Sequence, residues 1–570
     1  MASQDVWNPE EESSQRQRSD PRSGYCHRSG VYRSLLHLAP HHRHPNDLHL
    51  HTTNFVLSHF PHPDHAHSKL ALVDSAVGRR LTYADLRRSV LSLAAALHHG
   101  LGLRKGDVVL LLAANSYLYP PTCLAVLSVG AVLTTANPLY TSAEIAKQVR
   151  DSAAKLIVCS PDLHDKLLSI DVPVVLTHRH PHDDDKRWIS IEEMIEGGEP
   201  LDAPVPKIRQ SDPAAVLYSS GTTGVNKGCV LTHGNLIAIV NLLRWTAETE
   251  TLVAPGDVFL AFLPMFHIYG LAFFALGLFT TGATVVTMQR FDFDAMLEAV
   301  QKYGVTNLPS VPPVILALVK KDTAQYNLSS LRRVGSGAAP LGKEVADGFR
   351  AKFPWIQLRQ GYGLTETSGA ATFFVSAKDS RARPSSVGVL FPGFEAKVVE
   401  EDSGVAMPPG RKGELWLRSG TVMKCYHGNE EATAGAIDSE GWLRTGDLGY
   451  FDEHGFLYIV DRIKELIKHN GYQVAPAELE ALLVTHPHIL DAAVVPEEAE
   501  DVGQIPVAFV VRAADSQLTE KQVIQFVANQ VAPFKKVKKV SFINVIPRSA
   551  AGKIMRRQLM TQIKHSASKL

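Results

Sequence analysis

Neither sign of charge predominates in this chain: 58 lysines and arginines balance 58 aspartates and glutamates over 570 residues. Such a balance offers no field to a polyanion, so neither nucleic acid nor an anionic membrane surface is expected as a partner. Cysteine is scarce. Cys26, Cys123, Cys159, Cys229 and Cys425 are odd in number and show no CxxC spacing, which argues against a disulfide framework and reads as reduced, intracellular thiols. The amino terminus, to about Pro21, is polar and lacks the apolar core of a secretory signal. The longest apolar stretch, Leu271 to Met288, is interrupted by Gly277 and Gly282 and holds several threonines. A buried helix followed by a strand is expected there rather than a transmembrane span. Both common phosphate-loop patterns, the Walker loop and GxGxxG, are absent.

What is present suits a large soluble enzyme. The chain is too long for one ordinary domain, and its 45% hydrophobic and 20% charged residues are ordinary for a globular protein. From about Leu81, buried strands (107–114, 155–159, 174–177, 214–219, 283–288) alternate with helical patterns such as 142–152, opened by a Thr141/Glu144 capping box. That alternation predicts an α/β architecture with helix-covered sheets. A second, α+β unit is expected from Asp461. It holds a proline-led helix from Pro476, strands at 491–495, 506–512 and 539–545, and a helix opened by a Thr519/Gln522 capping box. The expected division is a poorly ordered lead-in (1–50), a large domain (51–460) and a small one (461–570). Ten of the 25 histidines fall between His37 and His67. Lacking a Cys, Asp or Glu cluster at ligand spacing, they read as a solvated segment rather than a metal site.

The richest stretch is Ser219-Ser220-Gly221-Thr222-Thr223-Gly224-Val225-Asn226-Lys227-Gly228-Cys229, directly after an apolar strand. Glycines bring backbone N–H groups close to a ligand, hydroxyls donate to oxygens, and a lysine adds full charge, which together suit a polyphosphate. The run resembles the ATP-binding motif of the adenylate-forming superfamily, which includes acyl-CoA synthetases, 4-coumarate–CoA ligases and luciferases. The resemblance extends from about Leu81 to Arg557. Asn226 stands where the family usually has proline and Cys229 where it usually has valine; neither change removes a phosphate contact.

The resemblance carries further expectations. It implies stacked sheets in a large amino-terminal domain and a mobile carboxyl-terminal lid. In Gln360-Gly361-Tyr362-Gly363-Leu364-Thr365-Glu366, Tyr362 would lie near adenine, Thr365 would touch the α-phosphate and Glu366 would help hold Mg²⁺. Ala338, within Gly337-Ala338-Ala339-Pro340, would border adenine and acyl pocket. Asp447 of Thr445-Gly446-Asp447 would accept from the ribose hydroxyls, with Arg462 also reaching the ribose and Asp461 acting as hinge. Lys553, ending Pro547-Arg548-Ser549-Ala550-Ala551-Gly552-Lys553, would meet the carboxylate and α-phosphate as charge builds there. His267 would sit near the substrate carboxylate, and Tyr269, Phe273 and Phe373 would line the acyl pocket. At the position of Phe273 the hydroxycinnamate ligases commonly carry a small polar residue, so an apolar acid is expected here. Arg290, Asn470 and Gly471 would meet CoA, and Lys464, Lys468 and Gln473 AMP or CoA once the lid turns; Asn470 replaces a usual lysine.

The function expected from the resemblance is an ATP- and CoA-dependent acid–CoA ligase acting through acyl-AMP, ligase-like because Gly413-Glu414-Leu415-Trp416-Leu417-Arg418-Ser419 departs from the coumarate-ligase signature. A luciferase-like oxidase of acyl-AMP and a catalytically silent peroxisomal binding protein remain alternatives. Only 17 residues follow Lys553, too few for a carrier domain. The terminal Ser568-Lys569-Leu570 reads as a peroxisomal import address, with the import receptor as partner.

Overall fold

The computed structural model describes residues 19–179, 189–198, 207–219, 227–248, 253–470, 472–499, 502–550 and 552–567. Two large, mainly parallel sheets of seven and nine strands form the centre, joined by an antiparallel six-stranded sheet and, in the small domain, a five-stranded one. The parallel strands, such as Val108–Leu112 and Val132–Thr135, are buried on both faces, as sheets covered by helices require. One apolar core runs through both large sheets as far as Leu457, and the small domain has its own, beginning at Ile467.

Local signals set many boundaries. The helix Ser142–Ser152 starts on a complete capping box, Thr141 Oγ1 accepting from the Glu144 amide while the Glu144 carboxylate accepts from Thr141. The Thr519/Gln522 box opens Glu520–Ala528 in the same way. The apolar stretch at 271–288 is a short helix, Ile268–Gly270, a π-helical turn, Leu271–Gly277, a 3₁₀ turn, Leu278–Thr281, and the strand Thr284–Thr287. No described helix is long and apolar enough to cross a membrane.

The lead-in differs from expectation. Tyr25–Cys26 and Val31–Arg33 are strands, the second paired with Glu395–Val399 at the edge of the six-stranded sheet. Further on, Trp245 Nε1 donates to the His37 carbonyl and Gln210 Nε2 to those of Pro45 and Asp47. The segment is held by partners some 160 to 360 positions away in sequence, which its own composition does not announce.

Candidate active site

In open α/β sheets ligands gather outside the carboxyl ends of the parallel strands, and there the motifs converge. Strand Pro213–Ser219 and strand Lys227–Thr232 form a hairpin whose first pair is Ser219 with Lys227. Ser220, Gly221, Thr222, Thr223 and Gly224 lie outside the described residues. Lys227 Nζ lies 4.9 Å from the ring centroid of Tyr426, whose hydroxyl donates to Glu366 Oε1 at 3.0 Å. Tyr426 thus ties Lys227 to the Thr365-Glu366 turn. The amide of Met423 also donates to the Glu366 carbonyl.

Strand Gln357–Leu364 carries Gln360, Gly361 and Tyr362 into the site. Gln360 Nε2 donates to the Pro384 carbonyl, which anchors the strand. A Cβ on Gly361 would fall 2.7 Å from Phe373 Cδ2 and 2.9 Å from the Thr372 carbonyl oxygen, so only glycine fits. Ala338, exposed, takes a left-handed conformation at φ 68°, a strained backbone of the kind found at binding sites.

Tyr362 hydroxyl donates to Asp447 Oδ2 at 2.6 Å, and Arg462 Nε lies 3.4 Å from Asp447 Oδ1. Asp447 and Arg462 are register partners on adjacent antiparallel strands, Leu443–Phe451 and Leu457–Arg462. Burial raises the Asp447 pKa against the opposing pull of Arg462. The same strand runs on to Asp461, whose Oδ2 accepts from the amide of Ala477 at the start of helix Pro476–Leu483.

Lys553 reaches this cluster from the small domain. Its loop is tied by Ser549, whose amide donates to the Lys553 carbonyl at 2.7 Å, and by Arg548, which bonds the Gly552 carbonyl and pairs with Asp491. Gly552, at φ 82°, lies against Val311 of the large domain, where a Cβ would come within 3.1 Å. Burial lowers the Lys553 pKa, as does Arg462, while Glu465 (3.8 Å from Nζ) and Asp447 raise it. Glu465 is held in turn by Arg556 Nε at 2.8 Å.

His267 ends the loop after strand Val258–Ala261. Nδ1 accepts from the Tyr269 amide, which leaves Nε2 as the donor. Burial pushes its pKa down to about 4, so the ring is neutral at physiological pH. Asn115 sets this loop, donating to the Ala261 and Leu263 carbonyls and accepting from the Met265 amide. Tyr269 lies against Gly335 and Gly337, and Phe273 meets Tyr269, Phe259 and Phe274 at ring separations of 6.0, 5.6 and 5.3 Å. Within the π-helical turn only Phe273 is not buried.

Several expected site residues are not gathered into the cluster. Arg290 is exposed after strand Thr284–Thr287. Lys464, Lys468, Asn470 and Gln473 are also exposed, Lys468 and Gln473 as register partners in a hairpin, and Gly471 lies outside the described residues. Tyr426 and Asn115 were not foreseen from sequence.

Residues 62–427 match the model of the AMP-binding enzyme family, and residues 478–553 that of the AMP-binding enzyme C-terminal domain. The chain belongs to the AMP-binding enzymes. It is 46% identical over 564 residues to a probable CoA ligase, CCL5, of Humulus lupulus (97% of this chain, 98% of that protein). It is 44% identical over 560 residues to the peroxisomal OPC-8:0-CoA ligase 1 of Arabidopsis thaliana (96% and 99%). Among solved structures, ATP-bound MatB from Rhodopseudomonas palustris superposes with a TM-score of 0.80 at 29% identity, covering 90% of this chain and 99% of MatB. The o-succinylbenzoate CoA synthetase MenE of Bacillus subtilis, in complex with its acyl-adenylate, gives 0.75 at 25% identity, over 89% and 97%. The AMP-binding enzymes thus share this chain's architecture of large amino-terminal and small carboxyl-terminal domains.

Proposed function

We propose that this AMP-binding enzyme is an AMP-forming acid–CoA ligase, converting a carboxylic acid, ATP and CoA to acyl-CoA through acyl-AMP. The observation that carries the reading is Lys553 of the small domain, set beside Asp447 of the large domain and its partner Arg462 at the domain border. A carboxylate is a poor acylating agent because oxide is a poor leaving group. Its attack on the ATP α-phosphate expels pyrophosphate and yields a mixed anhydride. In the second step the CoA thiol attacks the acyl carbon, and AMP leaves with the bonding electrons.

Each residue then has a defined task. Asp447 accepts from the ribose hydroxyls, an ionised acceptor for a vicinal diol. His267 donates from Nε2 to the substrate carboxylate without adding charge. Lys553 stabilises negative charge at the carboxylate and α-phosphate. The Ser219–Lys227 loop cradles the outer phosphates. Glu366, a carboxylate braced by Tyr426, fits Mg²⁺, which is held through one or two carboxylates plus phosphate oxygens. When bound, that ion would neutralise phosphate charge. The exposed Arg290, Lys464, Lys468, Asn470, Gly471 and Gln473 would meet CoA or AMP after the small domain (461–570) turns about Asp461.

The acyl pocket, with Phe273, Tyr269 and Phe373 on its walls, favours an acid with an apolar body. Aryl-propenoic acids, fatty acids and jasmonate precursors fit that description. Ser568-Lys569-Leu570 supports delivery to the peroxisome by its import receptor. A luciferase-like oxidase would consume O₂, whereas the ligase releases AMP only with CoA. Lys553→Ala tests the assignment. Pyrophosphate release should fall by about 10²–10³, while thioester formation from supplied acyl-AMP persists; equal loss of both steps would refute the role given to Lys553.

A further inference from the structure

The histidine-rich lead-in meets helix His233–Glu248 at its carboxyl end, the end away from strand Lys227–Thr232. His41 Nε2 lies 2.8 Å, and His42 Nε2 2.7 Å, from the same oxygen, Oε2 of Glu248. One ligand atom from each of the three residues lies within 4.8 Å of the others. His42 is 1% exposed, yet neither of its ring nitrogens makes a hydrogen bond, Nε2 approaching the carboxylate out of line for an N–H donor. Buried polar groups ordinarily find a partner. An imidazole nitrogen aimed at a carboxylate, out of hydrogen-bonding geometry, suits a lone pair directed at a cation shared between the two.

We propose that His41, His42 and Glu248 form a site for a divalent transition metal such as Zn²⁺. Two imidazoles and one carboxylate are a donor set that such ions take, at bond lengths of about 2.0–2.2 Å. The remaining coordination falls to water, since the His41 and Glu248 side chains are 61% and 48% exposed. Those two can spread by the few tenths of an ångström that an ion between the donors requires. His42 is set in place already: Asn241 Nδ2 donates to its carbonyl, and Trp245, one turn on, holds His37. Arg244 is 3.9 Å from Glu248 Oε1, which leaves Oε2 to the histidines. The ion would staple the lead-in to the helix that follows the phosphate-loop hairpin, a structural role separate from the substrate site.

The full-length protein, stripped with chelator and dialysed, is titrated with Zn²⁺ alone and with Co²⁺ alone. Equilibrium dialysis, the visible Co²⁺ absorption and the thermal midpoint are read. The expected result is one tightly held equivalent, a Co²⁺ band of low coordination number and a raised midpoint. Glu248→Gln and His41→Ala should each weaken binding at least tenfold and abolish the rise, with pyrophosphate release and the metal-free midpoint unchanged. His42, being buried, is left intact so that folding is not the variable. Binding equal to wild type in both variants would place the ion on other histidines and overturn the proposal, as would failure of the wild type to bind.

Discussion

Asp461 and Ala477 are joined at the domain border: the carboxylate of the last-but-one residue of strand Leu457–Arg462 accepts, at 2.9 Å, from an amide in the first turn of helix Pro476–Leu483. Four amides at a helix start have no intrahelical partner, and the N-cap residue here, Ala475, has no side chain to offer. Asp461 supplies the missing cap from outside the helix. Replacing it with alanine should cost about 0.5–2 kcal/mol of stability, as for other lost caps. Urea unfolding should show this, and the ratio of adenylation to thioester formation should change too, since the bond lies at the proposed hinge.

The Tyr426 side chain meets both Lys227 and Glu366, and two variants separate these contacts. Tyr426→Phe removes the hydroxyl from Glu366 but keeps a ring under Lys227. A hydrogen bond to a charged group is worth roughly 1.5–3 kcal/mol. Pyrophosphate release should therefore fall by roughly tenfold to a hundredfold and need more Mg²⁺ for half-maximal rate. Tyr426→Leu should, in addition, raise the KM for ATP. A Mg²⁺ titration unchanged by Tyr426→Phe would deny the hydroxyl any part in holding Glu366.

Phe273→Ser should open the aromatic wall and bring in a hydroxyl. Against apolar acids kcat/KM should drop by roughly 10–200-fold, the range for losing apolar contacts in a pocket, while hydroxylated ring acids gain. Assays across a panel of aryl and fatty acids give the comparison directly.

Acid should weaken the fold. Burial holds His51 at about 4 and His267 at about 4, and His233, where His51 and Lys105 add to burial, at about 3, all below the ordinary 6.5. The unfolded chain takes up these protons first as pH falls, so stability drops between about pH 6.5 and 4. Asp461 works in the opposite sense. Burial raises it to about 6, and its contribution is lost as pH rises from about 3.8 to 6. The three histidines outweigh the two raised carboxyls, Asp461 and Asp447, so the urea midpoint should fall from about pH 7 to about pH 4.5. A midpoint that rose instead would contradict the buried, neutral histidines.

Elements fixed by near neighbours were legible in sequence. Thr141 caps Glu144 three residues away, and the Ser142–Ser152 helix begins and ends as its residues indicate. The alternation that suggested helix-covered sheets became two mainly parallel sheets for the same local reason. What stayed hidden depends on distant partners. Tyr426 acts on Glu366 from 60 positions away and Asn115 on Met265 from 150, separations invisible to spacing arguments. Glu248 lies 207 positions from His41, which is why a search near the histidines found no carboxylate partner. The π-helical winding at Leu271–Gly277 was missed for another cause: its residues are as apolar as those of an ordinary buried helix.

That wider turn bears on how the pocket changes over evolutionary time. A coil of this kind holds one residue more than regular winding, so deleting a single residue there restores the ordinary pitch and changes which side chains of the turn itself face outward, while the flanking residues keep their register. Phe273 would then swing away and a neighbour take its place against the acid. Short insertions and deletions, rather than point changes alone, are thus an economical route by which descendants of this chain could exchange one class of acid for another.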